Sequence, residues 1–375
     1  MSTQRNIFED VSGDVSRTPT KQPSNGQHQG AQSVVIWLKI LFILVAIIIV
    51  VGGLTRLTDS GLSITEWAPV TGAVPPLSEQ AWQVEFEKYQ EIPEFVIQNS
   101  AMTLAEFKSI YWWEWGHRLL GRLVGVAWAG GFAFLALRGS KPRGWTGRLV
   151  LLGALGGLQG FVGWWMVSSG LSGRVVDVAS YRLAIHLGLA FVILGSITWF
   201  IQALRRGDAD LLQARRRREA NLSKLTLSLL VLLFLQVLLG ALVAGLDAGT
   251  GYTDWPLMGG TFFPGEALNL SPFWVNLFEN VAMTQFNHRL LAYICVGLGI
   301  FIWLKSRQSA LRATRSWFNY LLMAIGVQLL AGILVLVNGA PLGLAVVHQI
   351  GAIILWVVAL ICYFQTLYPR AQTLR

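Results

Sequence analysis

Eight long runs of apolar residues divide the chain, and polar segments separate them. The runs lie at about 34–54, 116–137, 149–168, 183–204, 225–245, 285–304, 317–337 and 344–366. A helix of about 20 apolar residues crosses the hydrocarbon core of a bilayer. The pattern therefore predicts an all-α integral membrane protein with eight transmembrane helices.

The basic residues between these spans are confined to alternate connections. Lys and Arg occur in the second, fourth and sixth connections, whereas the stretch from Leu246 to Gln285 has neither. The first connection contains many Glu residues. Because cytoplasmic loops are enriched in Lys and Arg, we expect the basic connections and both termini to lie in the cytoplasm.

The overall composition supports a membrane protein and narrows the possible chemistry. Hydrophobic residues make up 54% of the 375 residues and charged residues 13%, whereas about 25% is typical of soluble domains. The net charge of +9 follows from the basic cytoplasmic loops, so we expect no nucleic-acid partner. Two Cys are too few for a disulfide scaffold or for a zinc or iron–sulfur site ligated by three or four thiolates.

The chain contains an internal duplication. At an offset of 188, Asp59 aligns with Asp247, and Thr65-Glu66-Trp67 aligns with Thr253-Asp254-Trp255. At an offset of 171, the HRLL motif at 117–120 aligns with the HRLL motif at 288–291. Four spans per copy is an even number, so we predict two four-helix bundles in parallel orientation.

This duplication, together with the polar segments, predicts five regions. We expect a disordered cytoplasmic tail, an N-terminal four-helix half with a long outer loop at 55–110, a basic cytoplasmic linker, a C-terminal four-helix half and a short cytoplasmic tail. Their bounds are 1–33, 34–204, 205–224, 225–366 and 367–375.

Four histidines lie near the outer ends of the even-numbered spans, as two equivalent pairs. They are His117, His186, His288 and His348. A single membrane histidine is usually a hydrogen-bonded packing residue, but two level imidazoles on different helices can ligate the iron of a haem from both sides. A zinc site would be incomplete with two histidines per half, and a proton relay would not need each pair at one level.

Polar residues near these histidines extend the hypothesis. Arg118 and Arg289 directly follow two of them, where a guanidinium can pair with haem propionates or anchor lipid phosphate. Gln159, Gln236 and Gln328 lie within spans, where we expect interhelical hydrogen bonds rather than metal ligation.

The two copies differ in their charged groups. Glu114 precedes His117 by three residues, and so lies on the same helical face, whereas the equivalent residue is Gln285. Arg56 likewise corresponds to Ala244. A carboxylate in a membrane helix is costly and suggests function, although Glu114 could instead bind loop backbone. We therefore expect the first half to carry the chemistry and the second half to support it.

The sequence resembles the haem A synthases over nearly its whole length after the tail. The similar motifs are GGLTRLTDSGLSITEW at 52–67, EFKSIYWWEWGHRLLGR at 106–122, HLG at 186–188, TQFNHR at 284–289 and VHQ at 347–349. The resemblance implies an oxidoreductase that converts the C8 methyl of haem O into the formyl group of haem A for terminal oxidases, by successive hydroxylations.

The resemblance also implies roles for individual residues. His288 and His348 would ligate a permanent haem b, His117 and His186 would ligate the substrate haem, and Glu114 would be the catalytic carboxylate. Arg289, Arg118 and Arg56 are the further candidates for cofactor binding. Besides haem O and membrane lipid, candidate partners are the haem O-forming farnesyltransferase and oxidase assembly factors.

The two cysteines differ from the pattern of some family members, which carry a cysteine pair in the first outer loop. Here Cys295 and Cys362 lie inside the sixth and eighth spans. Their depths differ by roughly 10 Å at 1.5 Å per residue, so we expect no disulfide between them. The chain is therefore similar to the branch that lacks the loop cysteines.

Two other classes of protein remain as alternatives. A duplicated bis-histidine cytochrome b that oxidises quinol would need the same four histidines, but not the Glu114/Gln285 difference. A transporter would fit the duplication, but the spans lack broken helices with charges at mid-depth. For the synthase we expect a bacterial inner membrane with the haem sites toward the periplasm. Its substrate could react after one histidine leaves the iron, or by electron withdrawal through the neighbouring haem.

Overall fold

The computed structural model describes residues 25–171 and 177–370, with side chains from residue 30 onward in the first helix. Within these ranges the chain forms twelve α-helices and short irregular connections. The helices are α1 (Asn25–Leu57), α2 (Glu79–Gln90), α3 (Pro93–Ile97), α4 (Leu104–Leu137), α5 (Thr146–Val167), α6 (Ser180–Leu204), α7 (Asp208–Arg216), α8 (Ala220–Gly245), α9 (Asn276–Glu279), α10 (Val281–Ser306), α11 (Arg312–Val337) and α12 (Leu342–Leu367).

Eight of these helices are long and apolar enough to cross a membrane. They are α1, α4, α5, α6, α8, α10, α11 and α12. Each of the predicted apolar runs lies within one of these helices or ends within one residue of it. This confirms the prediction of an all-α integral membrane protein with eight spanning helices.

All eight spanning helices begin before the predicted apolar runs, and in two of them, α1 and α4, the helix begins at 25 instead of 34 and at 104 instead of 116. The first begins at Asn25, so residues 25–33 are helical and the predicted disordered tail is wrong over that stretch. There, Gly30 packs directly against the backbone of Ser140 in the second connection, between α4 and α5. The rest of the predicted tail, residues 1–24, lies outside the described residues, as do residues 371–375 and the side chain of His28.

The helix α4 begins at Leu104, well before the predicted start at 116. Its N-terminus is fixed by a capping box, in which Thr103 accepts a hydrogen bond from the Glu106 backbone and the Glu106 carboxylate accepts one from the Thr103 backbone. Such a box satisfies two helix-end donors. The first turns of α4 therefore belong to the outer loop, and His117 lies more than three turns into the helix.

The predicted linker at 205–224 is largely helical. It contains α7 and the first turn of α8, and Arg206, in the turn between α6 and α7, forms an ion pair of 2.7 Å with Asp210 of α7. The backbone N–H of Glu219 donates to the Thr366 carbonyl at 2.9 Å, which fixes the start of α8 against the end of α12.

The spanning helices contact one another in two rings. In the first half α1 contacts α4, α4 contacts α5, α5 contacts α6, and α6 contacts α1; in the second half α8, α10, α11 and α12 do the same in turn. The halves meet where α6 packs against α8 and α12, and where α1 packs against α12.

Large side chains fill this contact between the halves. Phe191, Leu194 and Trp356 are buried there, and the Trp356 indole N–H donates to the Phe191 carbonyl at 3.0 Å. A Cβ on Gly195 would lie 3.1 Å from that indole nitrogen. A glycine at this position thus lets α6 and α12 approach closely.

The long first outer loop forms a small aromatic core above the membrane. Trp82 of α2 packs edge-on against Tyr111 at 4.9 Å between ring centres, and Phe107 lies 5.1 Å from Phe86 and 5.2 Å from Tyr89. The early start of α4 supplies Phe107 and Tyr111 to this core. The outer loop is therefore a folded part of the first half.

Gly131 provides a test of helix packing in the first half. It lies directly beneath the Trp37 indole, which is 7% exposed and donates to the Ala127 carbonyl at 2.9 Å. We expect Gly131→Val to destabilise the protein by about 1–3 kcal/mol, because the added side chain must displace the indole. The measurement is thermal unfolding in detergent.

The neighbouring Gly130 is the matched control, because a Cβ there would meet no atom within 4 Å. Gly130→Val should leave the unfolding temperature nearly unchanged. Equal losses in the two variants would contradict this account of the packing.

Candidate functional site

Each of the four membrane histidines rests against a glycine of the preceding spanning helix. A Cβ on that glycine would lie a few tenths of an ångström closer to the imidazole Cε1 than ordinary van der Waals contact allows, so a larger residue there requires movement of the ring. The glycine and histidine pairs, with the distance from such a Cβ to Cε1, are Gly52 and His117 (2.8 Å), Gly163 and His186 (3.0 Å), Gly240 and His288 (3.1 Å), and Gly332 and His348 (3.0 Å).

In the first half the two imidazoles face each other across the bundle. The ring centres of His117 and His186 are 6.4 Å apart, with an angle of 64° between the ring planes. A bond from imidazole to a transition metal is about 2 Å, and a ring centre lies about 1 Å behind its nitrogen, so two imidazoles on opposite sides of one metal have centres about 6 Å apart. The spacing of this pair fits a shared metal of that kind.

Three of the histidines also contact a glutamine. Gln159 Nε2 donates to the His186 carbonyl at 3.0 Å and lies 3.2 Å from both ring nitrogens. Gln236 and Gln328 make the same contacts with His288 and His348. This confirms that the glutamines within the spans form interhelical hydrogen bonds.

Glu114 is buried, with 2% of its surface exposed, and both of its oxygens accept two hydrogen bonds. Oε2 accepts from the Ser63 hydroxyl at 2.8 Å and from the Ile64 backbone N–H at 2.7 Å. Oε1 accepts from Arg118 Nε at 3.0 Å and from its Nη2 at 2.6 Å. The carboxylate thus binds loop backbone, which was one of the two expected uses of this residue.

The second half repeats this arrangement, with the hydrogen bond to the loop backbone reversed and the bond from the arginine in the same direction. Gln285 Nε2 donates to the Tyr252 carbonyl at 3.1 Å, and Gln285 Oε1 accepts from Arg289 Nη2 at 3.2 Å. At the repeat offset of 188, Tyr252 corresponds to Ile64. The same pair of positions therefore presents a charged acceptor in the first half and a neutral amide in the second.

Arg118 and Arg289 both bind carbonyl groups of the preceding outer loop. Arg118 donates to the carbonyls of Glu66 and Ile64 at 2.9 and 2.7 Å. Arg289 donates to the carbonyls of Tyr252, Asp254 and Leu257 at 2.8 to 2.9 Å. Each guanidinium fixes its loop over the histidine beside it, and their contact with haem propionates stays a prediction.

Arg56 lies at the outer boundary between the two halves and forms ion pairs with three carboxylates. Its guanidinium nitrogens are 2.7 Å from Asp59, 2.8 Å from Asp177 and 2.8 Å from Asp247. Asp59 and Asp247 have φ values of 47° and 49°, and each ends its helix in the left-handed conformation that is common at helix C-termini. Arg56 therefore joins the ends of α1 and α8, and its proposed contact with a cofactor stays a prediction.

Several partners in the site have no separate signal in the sequence. Ser63 and Ile64 bind Glu114 because the loop that follows α1 returns to α4 at these residues. Gln349 donates to the Ile49 carbonyl at 2.7 Å, and so connects α12, beside His348, with α1 of the other half. The repeat alignment could have suggested Ile64, because Tyr252 occupies the equivalent position.

Comparison with known proteins shows the family to which the chain belongs. A family model described as cytochrome oxidase assembly protein matches residues 35–360. The chain belongs to that family. One relative is the haem A synthase of Roseobacter denitrificans, which is 53% identical over 380 residues that cover 100% of both chains. Another is the haem A synthase of Ruegeria sp., which is 52% identical over 379 residues that cover 100% of this chain and 99% of the relative.

The haem A synthase of Paracoccus denitrificans is 51% identical over 377 residues, which are 99% of this chain and 98% of the relative. The chain is thus a member of the haem A synthase family and acts as an enzyme of haem A biosynthesis. The resemblance in the motifs at 52–67 and 106–122 is thereby confirmed.

The cysteines of this haem A synthase family member are both buried and free. Cys295 lies in α10, and Cys362 lies in α12, where its Sγ donates to the Trp317 carbonyl at 3.3 Å. The prediction that they form no disulfide is confirmed.

The outer loop contains a buried carboxyl group whose pKa is raised. Glu94 is 4% exposed, and burial raises its pKa from 4.5 to about 8, against the lowering effect of a hydrogen bond from Tyr89. Folded protein therefore keeps the proton to a higher pH than unfolded chain, so we expect the stability of this loop to fall as pH rises from about 4.5 to about 8.

Hydrogen exchange of the loop amides across this pH range measures the effect. Glu94→Gln, which cannot ionise, should remove most of the pH dependence. Glu91→Gln is the control, since Glu91 is exposed and should leave the dependence in place. A loop equally protected at pH 5 and pH 8 in the wild type would contradict the prediction.

Proposed function

We propose that this chain is an oxidoreductase that converts the C8 methyl of haem O into the formyl group of haem A by successive hydroxylations. The observation that carries the proposal is the repeated histidine and glycine arrangement in both halves, with a buried carboxylate beside one pair only. His117 and His186 ligate the substrate haem iron, and Glu114 lies one helical turn before His117.

The residues of the second half fit a permanent haem b. His288 and His348 each rest against a glycine and a glutamine on the preceding helix, and they would hold the haem iron from both sides. When bound, this haem would supply single-electron transfer.

Glu114 is the group in the first half that can take a proton from the reacting methyl. Its four hydrogen bonds occupy both oxygens, so one donor must move away before a proton can bind. The Ser63 hydroxyl is the donor best able to rotate, because the Ile64 N–H is backbone and Arg118 is anchored by two loop carbonyls.

Arg118, Arg289 and Arg56 are the proposed sources of positive charge toward the haem propionates. All three lie near the outer ends of their helices, at the level of the histidines or above it. Their hydrogen bonds to loop carbonyls and carboxylates hold these guanidinium groups in place, which lowers the entropy lost when an anion binds.

The proposed setting is the inner membrane of a bacterium, with the haem sites toward the periplasm. The polarity of the loops supports this orientation, because Lys and Arg are concentrated on the opposite side. The haem O-forming farnesyltransferase and oxidase assembly factors are the proposed protein partners, since the substrate and the product are both apolar and membrane-bound.

A bis-histidine cytochrome b that oxidises quinol is the alternative that the four histidines alone would also serve, and the membership in the haem A synthase family disfavours it. Acid extraction and chromatography of the bound pigment separate the two. Haem O, a hydroxylated form or haem A beside haem b supports the synthase, whereas haem b alone supports the cytochrome.

The role of Glu114 predicts the behaviour of Glu114→Gln. The amide keeps the size of the side chain but cannot take the methyl proton, so we expect haem to remain bound and conversion to stop at haem O or its hydroxymethyl form. The measurement is chromatography of extracted haem. Glu91→Gln, at an exposed glutamate of the outer loop, is the control and should still give haem A; normal haem A from Glu114→Gln would refute the role.

Because the second half is proposed to supply electrons through its permanent haem, we expect His288→Ala to lose that haem and, with it, product formation. The absorbance of purified protein reports haem content, and extracted pigment reports product. His28→Ala, in the N-terminal tail, is the control and should change neither. Full activity in His288→Ala would show that the second half does not supply electrons.

A further inference from the structure

The four membrane histidines are not equally fixed. His186, His288 and His348 each contact a glutamine that lies four residues before the glycine beneath the ring, on the same helix. These pairs are Gln159 and Gly163, Gln236 and Gly240, and Gln328 and Gly332. Residues four apart share one helix face, so each pair forms a continuous surface under its imidazole.

The glutamine restrains its histidine in two ways. Its amide donates to the histidine carbonyl at 2.9 to 3.0 Å, and the same nitrogen lies 3.1 to 3.3 Å from both ring nitrogens. One side chain therefore holds the histidine backbone by a hydrogen bond and packs against the ring, whose Nδ1 carries the proton when Nε2 binds iron. Rotation of the imidazole away from its position would break this contact.

His117 has no such glutamine. The residue four before Gly52 is Ile48, whose methyl carbon would lie 3.7 Å from a Cβ on Gly121, one turn after His117. Ile48 thus occupies the equivalent place without any hydrogen-bonding group. In the part of the chain that the structure describes, the buried Nδ1 of His117 has no hydrogen-bond partner.

We propose that His117 is the exchangeable axial ligand of the substrate haem, and that His186, His288 and His348 stay bound. The inference rests on the proposed function and selects one of its two routes, in which a ligand leaves before the substrate reacts. The bond between iron and His117 Nε2 breaks with its electron pair kept by the imidazole, and an external ligand takes the open position without any change in oxidation state.

This assignment places the open coordination position on the face of the substrate formed by α1 and α4. Glu114 lies on that face, one helical turn before His117. The open position and the proposed proton acceptor are therefore on the same side of the ring. His186, held by Gln159 on the opposite side, keeps the substrate in place during the exchange.

The test places a glutamine beside His117, where the chain has isoleucine, and an isoleucine beside His288, where the chain has glutamine. Full-length protein with both haems bound is reduced with dithionite, and the rate of carbon monoxide binding is followed by absorbance. The variants are Ile48→Gln, which adds the missing amide beside His117, and Gln236→Ile, which removes the amide beside His288. Ile48→Leu is the control for altered packing without an amide.

We expect one haem of the wild type to bind carbon monoxide faster than the other. Ile48→Gln should slow the fast phase about five-fold, the effect of one neutral hydrogen bond, and Gln236→Ile should speed the slow phase by a similar factor. Ile48→Leu should behave as the wild type does. If Ile48→Gln fails to bind haem, Ile48→Asn, whose shorter side chain carries the same amide, replaces it in the same measurement and should also slow the fast phase.

Unchanged rates in Gln236→Ile, or an unchanged fast phase in haem-loaded Ile48→Gln, would overturn the proposal while both haems stay bound. A failure of the proposed function would give a different result, seen in the haem content. In that case wild-type protein would hold a single haem, or replacing His117 and His186 together would leave the haem content unchanged.

Discussion

The close approach of an imidazole to a helix backbone is the constraint on which the rest of this structure depends. Each of the four histidines lies against a glycine on the preceding spanning helix. A side chain at any of those glycines would push the ring into the centre of the bundle. Because helix pairs in a membrane associate mainly through close packing, the same glycines set both the helix spacing and the depth of the rings.

On this common scaffold the halves differ through a few polar substitutions. Glu114 and Gln285 occupy equivalent positions and contact equivalent loop residues, yet one accepts from backbone N–H and the other donates to backbone C=O. A buried charge is costly unless it is fully hydrogen-bonded, and the four donors around Glu114 meet that requirement. The first half therefore keeps a charged acceptor where the second half has a neutral group.

The two halves are also connected by contacts at α1, near the histidines of both halves. Arg56 pairs with Asp59 of its own half and Asp247 of the other, and Gln349, next to His348, donates to the Ile49 carbonyl. Both contacts involve α1, the helix that carries Gly52 beneath His117. A displacement of α1 would therefore change contacts beside both histidine pairs.

The sequence by itself determined the eight spans, the repeat and the four histidines, because hydrophobicity, alignment and residue type are local properties of the chain. It also indicated Glu114 through its contrast with Gln285. Only the tertiary structure showed that Ser63 and Ile64 bind Glu114, that Arg56 joins the two halves, and that Ile48 stands where three other sites have glutamine. These facts depend on how loops and helices meet in space, and apolar patterns do not encode such distances. The start of α4 was missed for a related reason, since its first turns are stabilised by a capping box and aromatic packing outside the membrane.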